Sequence, residues 1–510
     1  MSRRSSLRVR RGKAVGTTVN QLPFQQFENP YPPLEIISPE QVEAIHEASL
    51  EILETVGVNF LLDEARRILK EAGADVESKS TRVRFDRDLI LAAMSTAPAS
   101  FIIAARNPHH SLSFGGQSLS FAAVSSPPNA SDLDRGRRTG NFQDFCNFLR
   151  LTQRLNVAQI VSGYAVEPVD IDPAVRHLEA TLATIELTDK IFRLYSLGRQ
   201  RVLDVIEMVQ ITRGFDDVRL ASEPSVFTMV NANSPLQFDV SMLWGMIELS
   251  RRNQPVVVTP FTLAGAMAPV TLAGALAQQN AEALAGMAFC QIVSPGAPVM
   301  YGGFTSNVDM KTGAPAFGTP EYAKATLIGG QMARRYGVPY RASNVNASNA
   351  PDAQAAYESQ MSLWASVLGH AHMIHHGLGW IEGGLCASFE KFVIDAEMVQ
   401  MMVETLRPLE VNADTLALDA IREVGPGGHF FGAAHTLERY ETAFYQPMLS
   451  DWRNFETWQE DGALDATLRA NRIFKSILAN YEPPPLDPGV GEALREFVAR
   501  RKAEGGAPIT

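Results

Sequence analysis

The chain is predicted to be an α/β protein that folds as a (β/α)8 TIM barrel, and two observations along its 510 residues support this prediction. Short β-rich runs recur and lead into Gly, Ser, Asn or aromatic residues, which is typical of strands that end at a turn. Runs of helical period separate them, and the alternation is clearest between Ala297 and Cys386. Eight such units suit a closed barrel, which usually takes ~250 residues and carries its chemistry at the strand C-termini.

The eight candidate strands are Leu119–Val124, Ala158–Tyr164, Ile191–Ser196, Ser225–Asn231, Pro255–Phe261, Pro298–Gly303, Val338–Asn344 and Ala371–Gly377. The helical runs between them are Phe142–Arg154, Pro173–Leu187, Arg199–Arg213, Leu236–Arg252, Gly274–Ile292, Thr319–Tyr336 and Asp352–Gly369. An open doubly wound sheet is the alternative, but that fold usually begins with a G-x-G-x-x-G turn. The nearest sequence, Gly377-Leu-Gly379 followed by Gly383, has the wrong spacing.

The barrel is predicted to occupy residues 116–408, after an N-terminal helical and hairpin region at 31–115 and before a C-terminal helical extension at 409–510. Ser38-Pro39-Glu40 is typical of a helix start, and Gly57 can end that helix. A second helix is predicted over Asp63–Ala72, and a hairpin of Phe101–Arg106 and Leu112–Phe114 is expected to cover the base of the barrel. The predicted C-terminal helices are Leu416–Val424, Thr436–Tyr445, Leu464–Tyr481 and Gly491–Lys502.

The composition is that of a protein with a large core, since 45% of the residues are hydrophobic. The net charge of −11 argues against a general nucleic-acid-binding surface. Ser2–Lys13 is strongly basic with no apolar run behind it, so it resembles neither a secretory signal nor a membrane span. Residues 1–30 are interpreted as a mobile basic arm, and a role in subunit contact or nucleic-acid binding is the alternative. Three separated cysteines indicate a reducing compartment, and the cytoplasm is the expected location.

The residues at or just beyond the predicted strand ends are mostly aromatic, amide or hydroxyl. The predicted substrate-binding residues are Tyr164, Tyr195, Asn231, Phe261, Tyr301, Arg341, Asn344, His376, Trp380 and Glu382. Ser125 and Phe304 lie at the same ends. Arg193 and Arg341 fall inside strands, where a charge is costly unless it is paired. Either could bind a carboxylate through two parallel hydrogen bonds, or form a structural salt bridge to a helix.

Several kinds of chemistry lack the residues that they need. His375 and His376 are adjacent and should point to opposite sides of a strand, and there is no H-E-x-x-H, so no metal site is predicted. No G-x-S-x-G, P-loop or strand-end Lys supports acyl transfer, phosphoryl transfer or a Schiff base. A neutral aromatic pocket suits a quaternary ammonium ion, which is held by ring faces at ~0.5–2 kcal/mol each.

Five short motifs occur in a fixed order. They are Ile45-His46-Glu47-Ala48 with Ile52–Gly57, Asp134–Thr139, Gly313-Ala314-Pro315 with Gly318–Glu321, Pro351–Ala355, and Gly425–Phe430 with His435-Thr436-Leu437. Together they make the chain resemble the trimethylamine methyltransferase family of corrinoid-dependent methyltransferases over most of its length.

The trimethylamine-specific branch of that family carries pyrrolysine on a barrel loop ahead of the motif that corresponds to Pro351–Ala355. Ordinary residues fill Ser343–Ala350 here, so the chain is similar to the branch without pyrrolysine, which includes glycine betaine methyltransferase. That resemblance implies a quaternary amine as substrate. Glycine betaine is the preferred choice, and proline betaine and carnitine are alternatives.

The resemblance also implies transfer of a methyl group to the Co(I) of a corrinoid that a separate protein carries. Since Co(I) is the nucleophile, no catalytic residue is assigned to this chain. His429 and His435, in a Gly-rich loop, are implied to contact the corrinoid partner. A homo-oligomer without nucleic-acid or membrane partners is expected. Two other interpretations stay open, namely a betaine sensor without turnover, and a lyase or aldolase barrel, which would require a Lys or a metal.

Overall fold

The computed structural model describes residues 19–507 and contains a closed barrel of eight parallel strands. The barrel strands, numbered one to eight in chain order, are Ser118–Ala123, Ile160–Val161, Ile191–Leu194, Phe227–Val230, Val256–Val258, Val299–Gly302, Tyr340–Ser343 and Met373–Leu378. Each strand pairs with the next, and the eighth pairs with the first through Met373 and Ser120. The predicted fold class is confirmed, and all eight strands lie within a few residues of the predicted ones. The predicted basic run Ser2–Lys13 lies outside the described residues.

Helices follow the barrel strands and surround the barrel. They are Phe142–Arg154, Arg176–Leu187, Arg199–Arg213, Asp217–Ser222, Val240–Arg251, Leu272–Val293, Pro320–Tyr336, Ala353–Leu368 and Phe389–Leu406. The predicted helix Leu236–Arg252 begins late, at Val240, because Gln237–Phe238 instead pairs with Val58–Phe60 as a strand. The Asp239 side chain then accepts a hydrogen bond from the Met242 amide and caps the helix.

The N-terminal region packs on the outside and the base of the barrel. Its helices are Pro39–Glu51, Asp63–Glu71 and Arg87–Met94, and its strands are Phe27–Glu28, Val58–Phe60, Asp75–Val76, Arg82–Arg84, Phe101–Ile103 and Leu112–Phe114. The first helix begins at the Ser38 cap as predicted, but its last turn, Ile52–Val56, is π-helical before Gly57 reverses the chain. The helix Arg87–Met94 was not predicted.

The hairpin of Phe101–Ile103 and Leu112–Phe114 closes the base of the barrel, as predicted. Ile103, Leu112 and Phe114 form one buried cluster with side chains near the starts of the barrel strands, among them Ile160 and Met373. Burial of this apolar area stabilises the contact by about 25 cal/mol per Å². The packed side chains leave this end of the barrel closed. A ligand therefore has to enter from the opposite end.

Short strands extend the opposite end beyond the barrel. Phe261–Ala264 and Phe304–Val308 pair in parallel above strands five and six, and Pro315–Ala316 joins them. A second small sheet contains Asn129–Asp132, Gly136–Thr139, Trp380–Ile381 and Cys386–Ser388. These extensions were not predicted, and they place aromatic side chains around the barrel mouth.

The C-terminal helices are Leu418–Val424, Ala434–Arg439, Phe455–Glu460, Ala466–Ala479 and Pro488–Ala503. Ala466–Ala479 packs against Phe389–Leu406, where Phe474 contacts Phe389. The predicted helix Thr436–Tyr445 ends earlier, at Arg439, and Phe455–Glu460 was not predicted. No helix within residues 19–507 has the length and apolar character needed to cross a membrane.

Candidate functional site

A cavity of about 270 Å³ lies at the mouth of the barrel, at the strand C-termini. Its lining comes from seven of the eight strands or the loops that follow them, and it consists of Ser125, Ser126, Arg193, Met229, Asn231, Thr259, Phe261, Phe304, Arg341, His375, His376, Trp380, Gly383 and Gly384. Ser126 and Asn231 are solvent-exposed, so the cavity opens to the surface on this face. The cavity is therefore placed as the chemistry of (β/α)8 barrels requires.

Two arginines form the inner end of the cavity. Arg341 is 2% exposed, and its Nη1 donates only a long 3.4 Å hydrogen bond to the Gly303 carbonyl. Arg193 donates 3.3 Å hydrogen bonds to the Ser125 Oγ and to the Met229 carbonyl. The Nε of each guanidinium is buried without a partner, and neither group forms an ion pair with a carboxylate among the described residues. The inner end of the cavity is thus cationic and under-satisfied.

The electrostatic cost of these two charges is visible in their pKa values. Burial, together with the smaller effect of the nearby Arg193 charge, lowers the pKa of Arg341 to about 9. Burial also lowers the pKa of Arg193. A buried cation without a counter-ion destabilises a protein, so a bound anion would offset the cost of both groups. This arrangement is suited to a carboxylate, which a guanidinium can bind in a bidentate manner.

Both His375 and His376 face the cavity, so the prediction that they point to opposite sides is wrong. His376 has a φ of 54°, and the pairing of strand eight with strand one shifts register between Ile374 and Leu378. This bulge breaks the alternation of side chains that a regular strand would impose. The two imidazole rings lie 4.0 Å apart between their centroids.

The two histidines are neutral at pH 7. Burial and the charges of Arg341 and Arg193 hold the pKa of each imidazole well below its usual range. The Ser125 amide donates a 3.3 Å hydrogen bond to Nδ1 of His376, which makes Nδ1 the acceptor and assigns the proton to Nε2. His376 is therefore a neutral Nε2–H donor beside the two arginines.

An aromatic wall stands above the arginines. Phe304 stacks on Trp380 with 5.7 Å between ring centroids, and Phe261 lies 5.0 Å from Phe304. Trp380 also lies 4.2 Å from the His376 ring. A Cβ at Gly384 would lie 2.6 Å from the indole, so only glycine allows the loop to pass this close to Trp380. These ring faces offer the kind of surface that attracts a quaternary ammonium ion.

A buried ion pair supports the segment from His376 to Trp380, where strand eight ends in a short loop before the strand Trp380–Ile381. Lys391 contacts Asp395 one turn along the helix Phe389–Leu406, and both side chains are fully buried. The second carboxylate oxygen of Asp395 accepts a 2.8 Å hydrogen bond from the Gly379 amide. Asn344 donates 3.1 Å to the carbonyl of Gly377 in the same loop. The Lys391–Asp395 pair and the Asn344 side chain thus position the loop from behind, and none of them lines the cavity.

Five of the ten predicted substrate-binding residues line the cavity, namely Asn231, Phe261, Arg341, His376 and Trp380. Asn344 is buried behind it, and Glu382 forms a 2.9 Å ion pair with Arg137 beside it. Tyr301 points outward from strand six, where its hydroxyl accepts a 3.2 Å hydrogen bond from Gln279. Tyr301 does not reach the cavity because side chains alternate along a strand, and its neighbour Met300 takes the inward position.

Tyr164 and Tyr195 lie outside the cavity, although Tyr195 supports its wall. The Tyr195 hydroxyl lies 2.9 Å from the Ser125 Oγ and 2.7 Å from the Ser126 Oγ. The Arg193 guanidinium stacks on the Tyr195 ring at 4.4 Å. Tyr164 packs on the outer side of Tyr195, with 4.5 Å between ring centroids.

His429 and His435 do not contribute to the cavity. His429 is exposed and lies 6.1 Å from Phe431, and His435 lines a separate hollow in the C-terminal extension. Contact of these residues with a corrinoid partner stays a prediction. Within residues 19–507, no group of three or more His, Cys, Asp or Glu side chains is arranged to hold a metal ion.

Several lining residues are absent from the predicted substrate-binding set. Ser125 and Phe304 lie at predicted strand ends and Arg193 lies inside a predicted strand, and the inward position of Arg193 follows from that of Ile191 two residues earlier. The inward position of His375 can be derived in the same way from that of Met373, two residues earlier. Ser126, Met229, Thr259, Gly383 and Gly384 carry no chemical signal in the sequence.

A closed barrel with a cationic and aromatic cavity at its C-terminal face belongs to the class of small-molecule barrel enzymes. Comparison with known proteins identifies the family within this class of enzymes. The family model described as "Trimethylamine methyltransferase (MTTB)" matches residues 3–506, and the chain belongs to this family. It is therefore a methyltransferase.

Named relatives cover nearly the whole chain. Glycine betaine methyltransferase of Desulfitobacterium hafniense strain Y51 is 36% identical over 476 residues, which is 93% of this chain and 98% of the relative. Trimethylamine methyltransferase MttB of Desulfitobacterium hafniense strain DSM 10664 / DCB-2 is 31% identical over 471 residues, covering 92% and 94% of the two chains. Trimethylamine methyltransferase MttB2 of Methanosarcina mazei is 28% identical over 475 residues, covering 91% and 94%.

Proposed function

We propose that this methyltransferase takes a methyl group from the quaternary nitrogen of glycine betaine and delivers it to a corrinoid carried by a separate protein. The observation that supports this substrate is the pair of arginines at the inner end of the cavity, which have no carboxylate partner among the described residues. Trimethylamine has no anionic group and would leave both charges uncompensated. Glycine betaine has a carboxylate one methylene from its trimethylammonium group.

The geometry supports one orientation of this substrate. The carboxylate binds at the inner end, where Arg193 and Arg341 bind it and the Nε2–H of His376 can donate to it. The trimethylammonium group then lies against the rings of Phe261, Phe304 and Trp380, nearer the opening. One N-methyl group consequently points toward the solvent face. Such orientation of a reacting group can supply up to ~7–11 kcal/mol of a reaction barrier.

A corrinoid on a partner protein would supply Co(I), a nucleophile strong enough to accept a methyl group. The cavity fits such a reaction because it opens to solvent at Ser126 and Asn231 and holds no carboxylate of its own. As the methyl group leaves, the nitrogen keeps the electron pair of the broken C–N bond, and its positive charge disappears. Rings that stabilise the cation only moderately therefore slow the reaction less than a carboxylate would.

The proposal is tested with the purified chain under anaerobic conditions, with cob(I)alamin as acceptor, by following the absorbance change on methylation. Glycine betaine, proline betaine, carnitine, choline and trimethylamine form the panel, and dimethylglycine is quantified as the product from glycine betaine. Methylation with glycine betaine and not with choline or trimethylamine is the expected result. Turnover of trimethylamine at an equal rate, or calorimetric binding of choline as tight as that of glycine betaine, would overturn the proposal.

Replacing Trp380 with leucine is expected to weaken glycine betaine binding by about 0.5–2 kcal/mol, roughly 2- to 30-fold, because the variant loses a ring face. Calorimetry measures this loss, with Trp364→Leu as a partly buried control outside the cavity. The isostere 3,3-dimethylbutyrate, which keeps the carboxylate but has a neutral tert-butyl group in place of the trimethylammonium group, should be affected less. An equal loss for both ligands would show that Trp380 contributes shape and no cation–π attraction.

The affinity for glycine betaine is expected to stay constant between about pH 6 and 8, because His375 and His376 are neutral throughout this range. Their pKa values are lower in the folded than in the unfolded protein, so the unfolded state binds more protons as the pH falls through about 6.5. These groups therefore favour unfolding at acid pH and have no such effect above pH 7. Calorimetry across the range is the measurement, and tenfold tighter binding at pH 6 would instead indicate a protonated His376.

A further inference from the structure

A second cavity, of about 340 Å³, lies outside the barrel, between the helix Ala466–Ala479 and the end of the helix Phe142–Arg154. Its longest wall is one face of Ala466–Ala479, where lining residues recur at steps of three and four from Arg469 to the cap residue Asn480, over about 16 Å. Among the described residues, it shares no lining residue with the cavity at the barrel mouth. The two cavities are therefore separate sites.

Hydrogen bonds hold the opposite wall of this cavity, Met448 and Leu449, in place. The buried Glu397 carboxylate accepts hydrogen bonds from the amides of Met448 at 2.9 Å and Leu449 at 3.2 Å. The Arg469 Nε donates a 2.9 Å hydrogen bond to the Leu449 carbonyl and so joins this wall to the helix. The cavity is thus pre-formed, as small-molecule sites usually are, and its volume falls within the roughly 300–1,000 Å³ of such sites.

The lining of the cavity has an apolar part and a cationic part. Ile473 and Ile477 are buried or partly buried and contribute apolar surface. Arg154, Arg469 and Arg472 contribute guanidinium groups, and no Asp or Glu is among the described residues that line the cavity. An apolar wall beside guanidinium groups matches a molecule with an apolar body and an anionic group.

The positive charge of this lining is not compensated by the chain. The guanidinium groups of Arg154 and Arg472 form no hydrogen bond and no ion pair within residues 19–507. Arg469 donates to two backbone carbonyls, and the carboxylate that it influences, Asp451, is already paired with Arg453. An anion that enters the cavity can therefore bind guanidinium groups without displacing a carboxylate.

The chain's own N-terminal residues are the competing occupant, because Val19 lines one edge of the cavity. Ser2–Lys13 contains six Arg or Lys residues and no Asp or Glu. Like charges repel, so a segment of this composition is unsuited to a cavity lined by three arginines. A negatively charged molecule is the better match.

We propose that this cavity binds a carboxylate that has a medium-length apolar chain. Its volume has room for roughly ten non-hydrogen atoms at ~30 Å³ each, which is the size of octanoate. The carboxylate binds at the exposed side chains of Arg154 and Arg472, and the apolar chain lies along Ile473 and Ile477. The site is separate from the one proposed for methyl transfer and does not depend on it.

Isothermal titration calorimetry of the full chain with octanoate tests the proposal. Saturating glycine betaine is present, because the arginines at the barrel mouth could otherwise bind the same carboxylate. Octanoate is expected to bind at least about tenfold more tightly than octylammonium, which has the same chain and the opposite charge. Arg341→Met should bind octanoate like the wild type, and this arm holds even if glycine betaine does not bind. No binding of octanoate, its loss in Arg341→Met, or equal affinity for the two ions would overturn the proposal.

Two variants locate the site. Ser476→Phe fills the cavity and should weaken octanoate binding at least about tenfold, with its fold checked by thermal melting. Arg154→Met/Arg472→Met removes two exposed charges and should reduce the preference for octanoate over octylammonium to about twofold or less. Arg407→Met, a half-exposed arginine outside the cavity, is the control and should bind octanoate like the wild type. Unchanged octanoate affinity in a folded Ser476→Phe, or an unchanged preference in the double variant, would contradict this location. If Ser476→Phe does not fold, the double variant alone decides.

Discussion

Glycine betaine is expected to bind the Arg341→Met variant at least about 30-fold more weakly than the wild type. Removal of one partner from a buried, hydrogen-bonded charge pair costs about 2–5 kcal/mol, which corresponds to a factor of roughly 30 or more. Arg341 is the more buried of the two arginines, and its Nε has no other partner. Isothermal titration calorimetry measures the change in affinity directly.

Choline provides the control ligand, because it has the same ammonium group without the carboxylate. Its affinity for Arg341→Met should be unchanged or higher, since a cationic neighbour has been removed. Arg341→Lys keeps the charge but loses the bidentate geometry, so its glycine betaine affinity should fall between those of the other two proteins. Equal losses for choline and glycine betaine would contradict a carboxylate site at Arg341.

The same variant also distinguishes a ligand-binding from a structural arginine through its stability. A guanidinium that forms a structural salt bridge stabilises the fold, and its removal lowers the melting temperature. Arg341 has no such bridge among residues 19–507, and burial lowers its pKa to about 9. Its replacement with a methionine of similar shape should therefore raise the melting temperature of the ligand-free protein. A lower melting temperature would indicate a structural role.

The strands of the barrel could be predicted because each is a short apolar run that ends in residues of a different kind. Val299–Gly302 and Tyr340–Ser343 show this, since the polar or glycine residues after them mark the strand C-termini. Barrel closure follows from the number of units. The short strands beyond the barrel, such as Phe304–Val308, could not be predicted because their sequences resemble a loop that follows the end of a strand.

The candidate site was harder to predict than the fold because the direction of each side chain matters there. The register between strands six and seven shows that Tyr301 faces outward, because it pairs with outward-facing Tyr340. Its neighbour Gly302 pairs with inward-facing Arg341. The bulge at His376 could not be predicted from alternation, because a positive φ at a non-glycine residue departs from the rule itself. Residues that support the site from behind, such as Asp395, carry no signal until packing brings them near Gly379.

Replacing Lys391 with methionine is expected to lower the free energy of unfolding by about 3–5 kcal/mol, because Asp395 would be left as an uncompensated charge in the core. Burial already raises the pKa of Asp395 and lowers that of Lys391, and their mutual attraction is the largest interaction that opposes these two shifts. Urea unfolding followed by circular dichroism measures the loss. Lys475→Met is the matched control, because its ion pair with Asp134 is half-exposed and should contribute about 1 kcal/mol or less.

Replacement of Lys391 should also weaken glycine betaine binding, because Asp395 accepts a hydrogen bond from the Gly379 amide. This hydrogen bond fixes the loop between His376 and Trp380. The double variant Lys391→Met/Asp395→Leu removes both charges and should recover part of the stability, since apolar pairs often replace buried ion pairs at little cost. It would still lack the acceptor for Gly379, so glycine betaine binding should stay weaker than in the wild type. A double variant with both stability and affinity restored would show that the ion pair serves the core alone and does not position the loop.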